Sequence, residues 1–207
     1  MNHTRALIIF AKMPRPGEVK TRLGKTMGMH EAARVYAELA ERTFQVGRDL
    51  GRQGCKVFLF YDPSASETNV RDWVKEEFLF IPQQGDTLGE RMHHAFDVTF
   101  QQGTERTVIV GTDIPDLELA LLQEAFDMLG SHDVVVGPTT DGGYYLLGMK
   151  PPTKDIFSGI AWSTPVVYAD TVRRIGRLGL SLSVLRELVD IDTEESYNEY
   201  TRRSPSI

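Results

Sequence analysis

ALIIFAKMPRPGEVKTRLG, residues 6–24, decides how this chain is read. Ala6 to Ala11 is a continuous apolar run without polar alternation. That pattern predicts a strand covered on both faces, ended by Pro14, Pro16 and Gly17. Lys12, Arg15, Lys20, Arg22 and Lys25 follow, opposed only by Glu18. The stretch contains neither the Gly-x-Gly-x-x-Gly fingerprint of dinucleotide sites nor the Gly-x-x-x-x-Gly-Lys-Ser/Thr of a P-loop. Two readings remain for it. One is a solvated basic loop. The other is a phosphate cradle: glycine lets backbone approach a ligand, Lys and Arg give charge-assisted bonds to phosphate oxygens, and a helix start adds free N–H groups. The position directly after the first strand favours the cradle, with Lys12, Gly17, Lys20 and Arg22 as contacts, Lys20 and Arg22 foremost.

Outward from this stretch, helical and strand-like segments alternate. Helices are expected at Met29–Leu50, Glu67–Glu77, Leu88–Gln101, Leu117–Leu129, Pro165–Leu178 and Thr193–Arg203. Thr87 or Asp86 is suited to cap the third, and Asp116 the fourth. Strands are expected at Lys56–Tyr61, Phe78–Pro82, Thr107–Gly111, Val134–Gly137, Tyr144–Met149 and Ser181–Leu185. The alternation predicts an α/β fold of three layers, α/β/α, with a mostly parallel mixed sheet. Residues 1–207 read as one domain, with a short possible seam at Gly148–Pro152. In such sheets ligands sit beyond the carboxyl ends of strands, near a switch in strand order. Chemistry is therefore sought just after each strand.

After the strand at Thr107–Gly111 comes Thr112-Asp113-Ile114-Pro115-Asp116. A carboxylate at the end of a buried strand is costly unless paired or bound to a cation. Asp113 thus reads as a ligand for an oxygen-preferring ion such as Mg²⁺ or Mn²⁺, or as a turn aspartate bonded to local backbone. Helix capping alone accounts for Asp116. Asp141-Gly142-Gly143 precedes a strand: Asp141 can hold a sugar hydroxyl or act as a base, and Gly142 and Gly143 can bring backbone to a ligand or simply form a turn. Asp190-Ile191-Asp192 places two acids on one side of an extended segment and Ile191 on the other. With Asp113, the acids Asp190 and Asp192 can complete a metal site, or Asp192 or Thr193 can cap the last helix. Trp162 either stacks on a base or sugar or belongs to the core.

Composition narrows the function. The chain has 207 residues, 41% hydrophobic, and a formal charge of -6. The acidic balance argues against non-specific nucleic-acid binding. No apolar run approaches the roughly 20 residues needed to span a bilayer. Cys55 is the single cysteine, so neither a disulfide nor a cysteine metal cluster is expected, and a cytoplasmic location is the simplest expectation.

Six motifs occur in order: Lys-x-Pro-x-Pro-Gly-x-Val-Lys-Thr-Arg-Leu at 12–23, Leu-Gly-Glu-Arg-Met at 88–92, Gly-Thr-Asp-x-Pro-x-Leu at 111–117, Asp-Gly-Gly-Tyr-Tyr at 141–145, Trp-Ser-Thr at 162–164 and Asp-Ile-Asp-Thr at 190–193. Together they resemble the small bacterial GT-A-fold glycosyltransferases associated with radical-SAM and selenium-domain proteins, over nearly the whole chain. The resemblance implies a nucleotide-diphospho-sugar transferase fold, Asp113 in the metal-ligand position and the first loop near the phosphates. The chain is also similar to guanylyltransferases of molybdenum-cofactor synthesis and phospholactate activation. It departs from the molybdenum type, whose Leu-Ala-Gly-Gly opening and Ser-Arg-Met-Gly turn are replaced by Phe-Ala-Lys-Met and Lys-Thr-Arg-Leu-Gly.

The expected activity is metal-dependent glycosyl transfer from a nucleotide-diphosphate sugar to a small-molecule acceptor. Lys20 and Arg22 would stabilise the leaving diphosphate and Asp141 would take the acceptor proton. Nucleotidyl transfer with release of pyrophosphate, and a non-catalytic nucleotide or sugar-nucleotide sensor, are the alternatives.

Overall fold

In chain order the elements are β1 (Arg5–Ala11), α1 (Thr21–Met27), α2 (Met29–Arg52), β2 (Lys56–Tyr61), α3 (Glu67–Val74), β3 (Leu79–Pro82), α4 (Leu88–Gln101), β4 (Arg106–Val110), α5 (Leu119–Met128), β5 (Val134–Pro138), β6 (Tyr144–Met149), a 3-10 turn (Lys154–Phe157), α6 (Val167–Arg177), β7 (Leu182–Val184) and α7 (Glu194–Arg203). The computed structural model describes residues 4–75, 78–150 and 154–203. The seven strands form one sheet in the order β3-β2-β1-β4-β6-β5-β7. All neighbours are parallel except β6, which lies antiparallel between β4 and β5.

The two-residue period of a strand sorts the core into two layers. Leu7, Ile9 and Ala11 face a cluster built with Tyr36, Ala40 and Phe44 of α2 and Leu121, Leu122 and Phe126 of α5. Ala6 and Ile8 face the other, with Met92, Ala95 and Phe96 of α4 and Ile175 of α6. Because both sides of β1 are covered by helices, its sequence has no polar alternation. A third cluster joins Leu23 of α1 and Tyr200 of α7 to Ala32, Val35 and Leu39 on the outer side of α2, with Ile191 between them. It holds the basic stretch and the C-terminal acids against the same helix.

The three-layer α/β/α architecture is as expected from the sequence, with differences at element ends. The basic stretch is partly helical: α1 carries Arg22 and Lys25, and a break at Gly28 (φ 91°) separates it from α2. A residue without a side chain is favoured in that conformation, so a single long helix does not form. α5 begins at Leu119 with Glu118 as its N-cap, and no side chain caps it. Asp116 is instead paired with Arg203 of α7 at 2.6 Å. α6 begins at Val167, because the Thr164–Pro165–Val166 segment packs on the turn at Gly142 before the helix opens. α3 ends at Val74, with Lys75 in the left-handed region; Glu76 and Glu77, expected in this helix, lie outside the described residues. Of the seam expected at Gly148–Pro152, Gly148 and Met149 belong to β6, and Pro151 and Pro152 lie outside the described residues. No helix among the described residues is long and apolar enough to cross a membrane.

Thr87 caps α4 reciprocally: its hydroxyl accepts from Glu90 N at 3.2 Å, and the Glu90 carboxylate accepts from Thr87 N at 3.2 Å. Two of the orphan donors of the helix start are thereby satisfied. Thr87→Ala is expected to lower stability by about 1 kcal/mol, read as a reduced urea midpoint at unchanged slope.

Candidate active site

β1 leaves the sheet between β2 and β4, and residues 9 and 110 are paired across the β1–β4 ladder. The next residues of both strands, Phe10 to Lys12 and Gly111 to Asp113, therefore emerge side by side at a carboxyl edge where strand order switches. They line a cleft of about 510 Å³, whose other walls include Val19 and Lys20, Tyr36, Gln83, the start of α4 at Leu88, Arg91 and Met92, Tyr144 with Tyr145, Ser163 and Asp192.

Tyr36 ties the two exits together. From the buried stripe of α2 its hydroxyl accepts from Lys12 N at 2.9 Å and from the Thr112 hydroxyl at 3.0 Å. Burial, and then the charge of Asp113, push its own ionisation well above the usual tyrosine range. The phenol is thus held neutral as a structural hydrogen-bonding group.

Lys20 closes the same edge. It is a non-glycine residue in the left-handed region (φ 47°, ψ 42°) at the N-cap of α1, a conformation that costs about 1–2 kcal/mol and needs support from its surroundings. Its carbonyl accepts from Gly24 N at 2.8 Å. Its side chain is 4% exposed, and Nζ lies 2.9 Å from Asp113 Oδ1, while the Asp113 side chain is 49% exposed. A buried ammonium without a partner is strongly disfavoured; Asp113 supplies that partner and keeps one face open to the cleft.

The C-terminal acids arrive by an extended path. Residues after β7 run beside the end of β5, where Leu188 N donates to Pro138 O, and Ile191 N then donates to Asp113 O at 3.1 Å. Ile191 is buried, while Asp192 lines the cleft and accepts from Arg22 Nη1 at 3.0 Å. Thr193 caps α7: its hydroxyl accepts from Ser196 N, so the Asp192 carboxylate is left for Arg22. Asp190 is half-buried, and its carboxyl is pushed up by burial first and then by the negative charge of Asp141, with Lys20 opposing the shift.

The other residues singled out by sequence are placed as follows. Lys12 lines the cleft with an exposed side chain. Gly17 (φ 84°) is at the exposed tip of the basic loop, and Arg22 is an exposed residue of α1; neither lines the cleft. Asp141 Oδ1 accepts from the Thr139 hydroxyl at 2.6 Å and from Gly143 N at 2.9 Å. Gly142 (φ 88°) lies so close to Pro165 O that no Cβ fits. Gly142 and Gly143 thus form a turn packed on the chain before α6, away from the cleft lining. Trp162 has its ring against Gly89 of α4, where an added Cβ would be 2.6 Å from it; it packs with the core cluster beneath α4, and its neighbour Ser163 reaches the cleft instead.

The donors facing the cleft are oxygens, the chemistry that suits Mg²⁺ or Mn²⁺. No three carboxylate, histidine or cysteine side chains converge as a ready metal cluster among the described residues. Asp113 and Asp192 fit such an ion, on condition that the Lys20 ammonium gives up its place on Asp113.

With this geometry in hand, residues 46–164 match the family described as uncharacterized proteins conserved in bacteria, DUF2064. The chain belongs to this family. A solved structure from Desulfovibrio desulfuricans G20, provisionally assigned as a nucleotide-diphospho-sugar transferase, is 35% identical, with a TM-score of 0.91 over 98% of this chain and 88% of that one. The 4-diphosphocytidyl-2C-methyl-D-erythritol synthase of Anaerococcus prevotii DSM 20548 shares the fold at 12% identity and a TM-score of 0.61, over 97% and 99% of the two chains. The glucosyl-3-phosphoglycerate synthase of Mycobacterium tuberculosis, solved with Mn²⁺, UDP and glucosyl-3-phosphoglycerate, does so at 9% identity and 0.56, over 91% and 71%. No curated protein matches the chain in sequence.

Among the residues of this DUF2064 cleft not singled out as site residues by sequence are Tyr36, Gln83, Arg91 and Thr112. Gln83 directly follows β3; its Nε2 donates to Phe60 O at 3.0 Å and its Oε1 faces Arg91. Arg91 donates to Gly85 O at 3.0 Å and lies 3.7 Å from Asp62. Burial works against the charged form of Asp62, but bonds from Ser64 and the charges of Lys12 and Arg91 outweigh it and hold the carboxyl below its usual range. Gln83 and Asp62 were accessible to the rule of searching after each strand. Tyr36 was not, because helical periodicity marks it as core and carries no information about its hydroxyl.

Tyr36→Phe keeps the ring packing but leaves the Lys12 N–H and the Thr112 hydroxyl without their acceptor. Unfolding free energy is expected to fall by about 1–3 kcal/mol, measured by chemical denaturation. A loss below about 0.5 kcal/mol would show that the bridge does not hold the two exits together.

Proposed function

We propose that the chain is a transferase whose donor is a nucleotide-diphosphate sugar, held with its diphosphate in the cleft between the ends of β1 and β4, and that residues 4–203 act as one catalytic unit. The observation that carries this reading is the pairing of buried Lys20 with half-open Asp113 at the switch point, in a chain 35% identical to a structure provisionally assigned to that transferase class. Lys20 and Lys12 supply positive charge where negative charge develops on the departing diphosphate. Arg22 acts through Asp192, which it orients at the rim. A bound Mg²⁺ or Mn²⁺, held by Asp113 and Asp192, would neutralise the phosphate oxygens. Mn²⁺ and UDP in the fold-related glucosyl-3-phosphoglycerate synthase are consistent with this chemistry. Asp141, exposed on the turn outside the cleft lining, is the candidate for taking the proton of an acceptor that reaches past the cleft mouth, with Oδ2, since Oδ1 is engaged by the turn.

Nucleotidyl transfer is the second reading, favoured by the two lysines on one cleft and by the likeness to a diphosphocytidyl synthase. In that case an acceptor oxygen attacks the α-phosphate of a nucleoside triphosphate, the bond to the β-phosphate breaks and pyrophosphate leaves. Released product separates the two: nucleoside diphosphate from sugar nucleotides supports the first, pyrophosphate from triphosphates the second. Silence over a broad panel of donors and acceptors with Mn²⁺, alongside binding, would leave a sensor.

Asp113→Asn is expected to abolish the metal dependence of nucleotide binding and, because it leaves the buried Lys20 ammonium without its carboxylate, to lower the melting temperature while the transition stays cooperative. Lys12→Ala is expected to weaken nucleoside diphosphates about 10- to 100-fold, as for one lost bond to a charged group, and leave nucleosides unaffected. Calorimetric titration reads both. Equal weakening of diphosphate and nucleoside would move the phosphates away from Lys12.

A further inference from the structure

The cleft holds a contradiction between its acids and its buried cation. Asp113 is the acid best placed for a metal ion, yet its Oδ1 is taken by Lys20 at 2.9 Å. Among the described residues Asp113 is the hydrogen-bond partner of Lys20 Nζ, which lines the cleft and, as an ammonium, carries three donors. We propose that Lys20 is a built-in counter-ion that occupies the cation position on Asp113 until a phosphate-bearing ligand draws it off, so that divalent metal and phosphate enter the site together. The inference rests on the reading of the cleft as a phosphate site and adds to it the order in which the site fills.

Three features make the lysine, rather than the aspartate, the part that moves. The Asp113 main chain is fixed by Ile191 N at 3.1 Å, and the preceding residue is tied to Tyr36 through the Thr112 hydroxyl. The Lys20 backbone is fixed as well, by Gly24 N, but its four-carbon stem turns about single bonds and carries a compact charge. Once buried, that charge demands an anion at every moment. In the free protein the anion is Asp113; with ligand present, a phosphate oxygen replaces it without leaving the ammonium unpaired. A metal ion arriving alone meets the reverse situation: it must share Asp113 with a positive charge that has nowhere else to go. Phosphate and metal therefore assist one another, and the assistance is reciprocal by linkage.

The test uses the full chain and measures Mn²⁺ binding by water-proton relaxation without any nucleotide. Wild-type protein is expected to bind Mn²⁺ weakly. Lys20→Met and Lys20→Gln, each checked for a cooperative thermal transition, are expected to bind it about 10- to 100-fold more tightly, the span of ordinary coupling between sites. Adding Asp113→Asn to either variant should remove the gain. In a second arm with EDTA present, pyrophosphate is the probe. Its affinity should drop about tenfold or more in the Lys20 variants and rise in Asp113→Asn, where the lysine is released. The inference is overturned if the Lys20 variants bind Mn²⁺ no better than wild type, or lose no pyrophosphate affinity. It is also overturned, with no Lys20 variant needed, if wild type alone already binds Mn²⁺ tightly through Asp113. Because neither arm contains a nucleotide, absence of all nucleotide turnover would defeat the proposed transferase while leaving these titrations to decide the lysine.

Discussion

The adjacency of β1 and β4 is the constraint on which the site depends. Both strands deliver their cleft residues at and just after the last rungs of the ladder: Ile109 to Asp113 from β4, and Phe10 to Lys12 from β1. Parallel pairing makes the two exits emerge on one edge, and the departure of β2 to the other side of β1 leaves room between them. Two side chains then convert proximity into a defined site. Tyr36 bridges the exits with its hydroxyl, and Lys20 joins the loop after β1 to the acid after β4. Remove the strand pairing and neither link has ends to join.

Backbone conformation decides which of the clustered cations can act on a ligand. Lys20 and Arg22 are two residues apart and read as equivalent in sequence. The left-handed turn at Lys20 sends that side chain inward, where it is almost fully buried, and starts α1 so that Arg22 faces out. A charge that is screened from water acts far more strongly on a neighbouring anion than one in solvent. Lys20 is therefore the most buried cation paired to an acid of the cleft, and Arg22 pairs with Asp192 from outside.

The layered fold was legible because it rests on periodicity, and periodicity survives in sequence: the uninterrupted run of β1, the apolar stripe of α2 and the alternation of elements all marked their layers. The lining of the cleft was legible where residues follow a strand directly, as for Lys12 and Asp113. It was not legible where function depends on contacts distant in sequence. Nothing near Asp116 announces its bond to Arg203, so local capping was the natural expectation. Nothing near Gly142 announces the close approach of Pro165, so its glycine looked available to a ligand. Trp162 presents the same lesson from the other side: a large aromatic beside Ser163 and Thr164 invites stacking on a base, but Gly89 offers the ring a closer surface within the core.

The same distribution of charge also bears on why two transfer chemistries compete for one site. Glycosyl transfer develops negative charge on a departing diphosphate; nucleotidyl transfer develops it around the α-phosphate and on departing pyrophosphate. Lysines beside a strand-end acid suit either. Discrimination must therefore come from where the acceptor is held. Leu88, Met92, Tyr144 and Ser163 also line the cleft, surfaces that carry shape and hydrogen bonding but no formal charge.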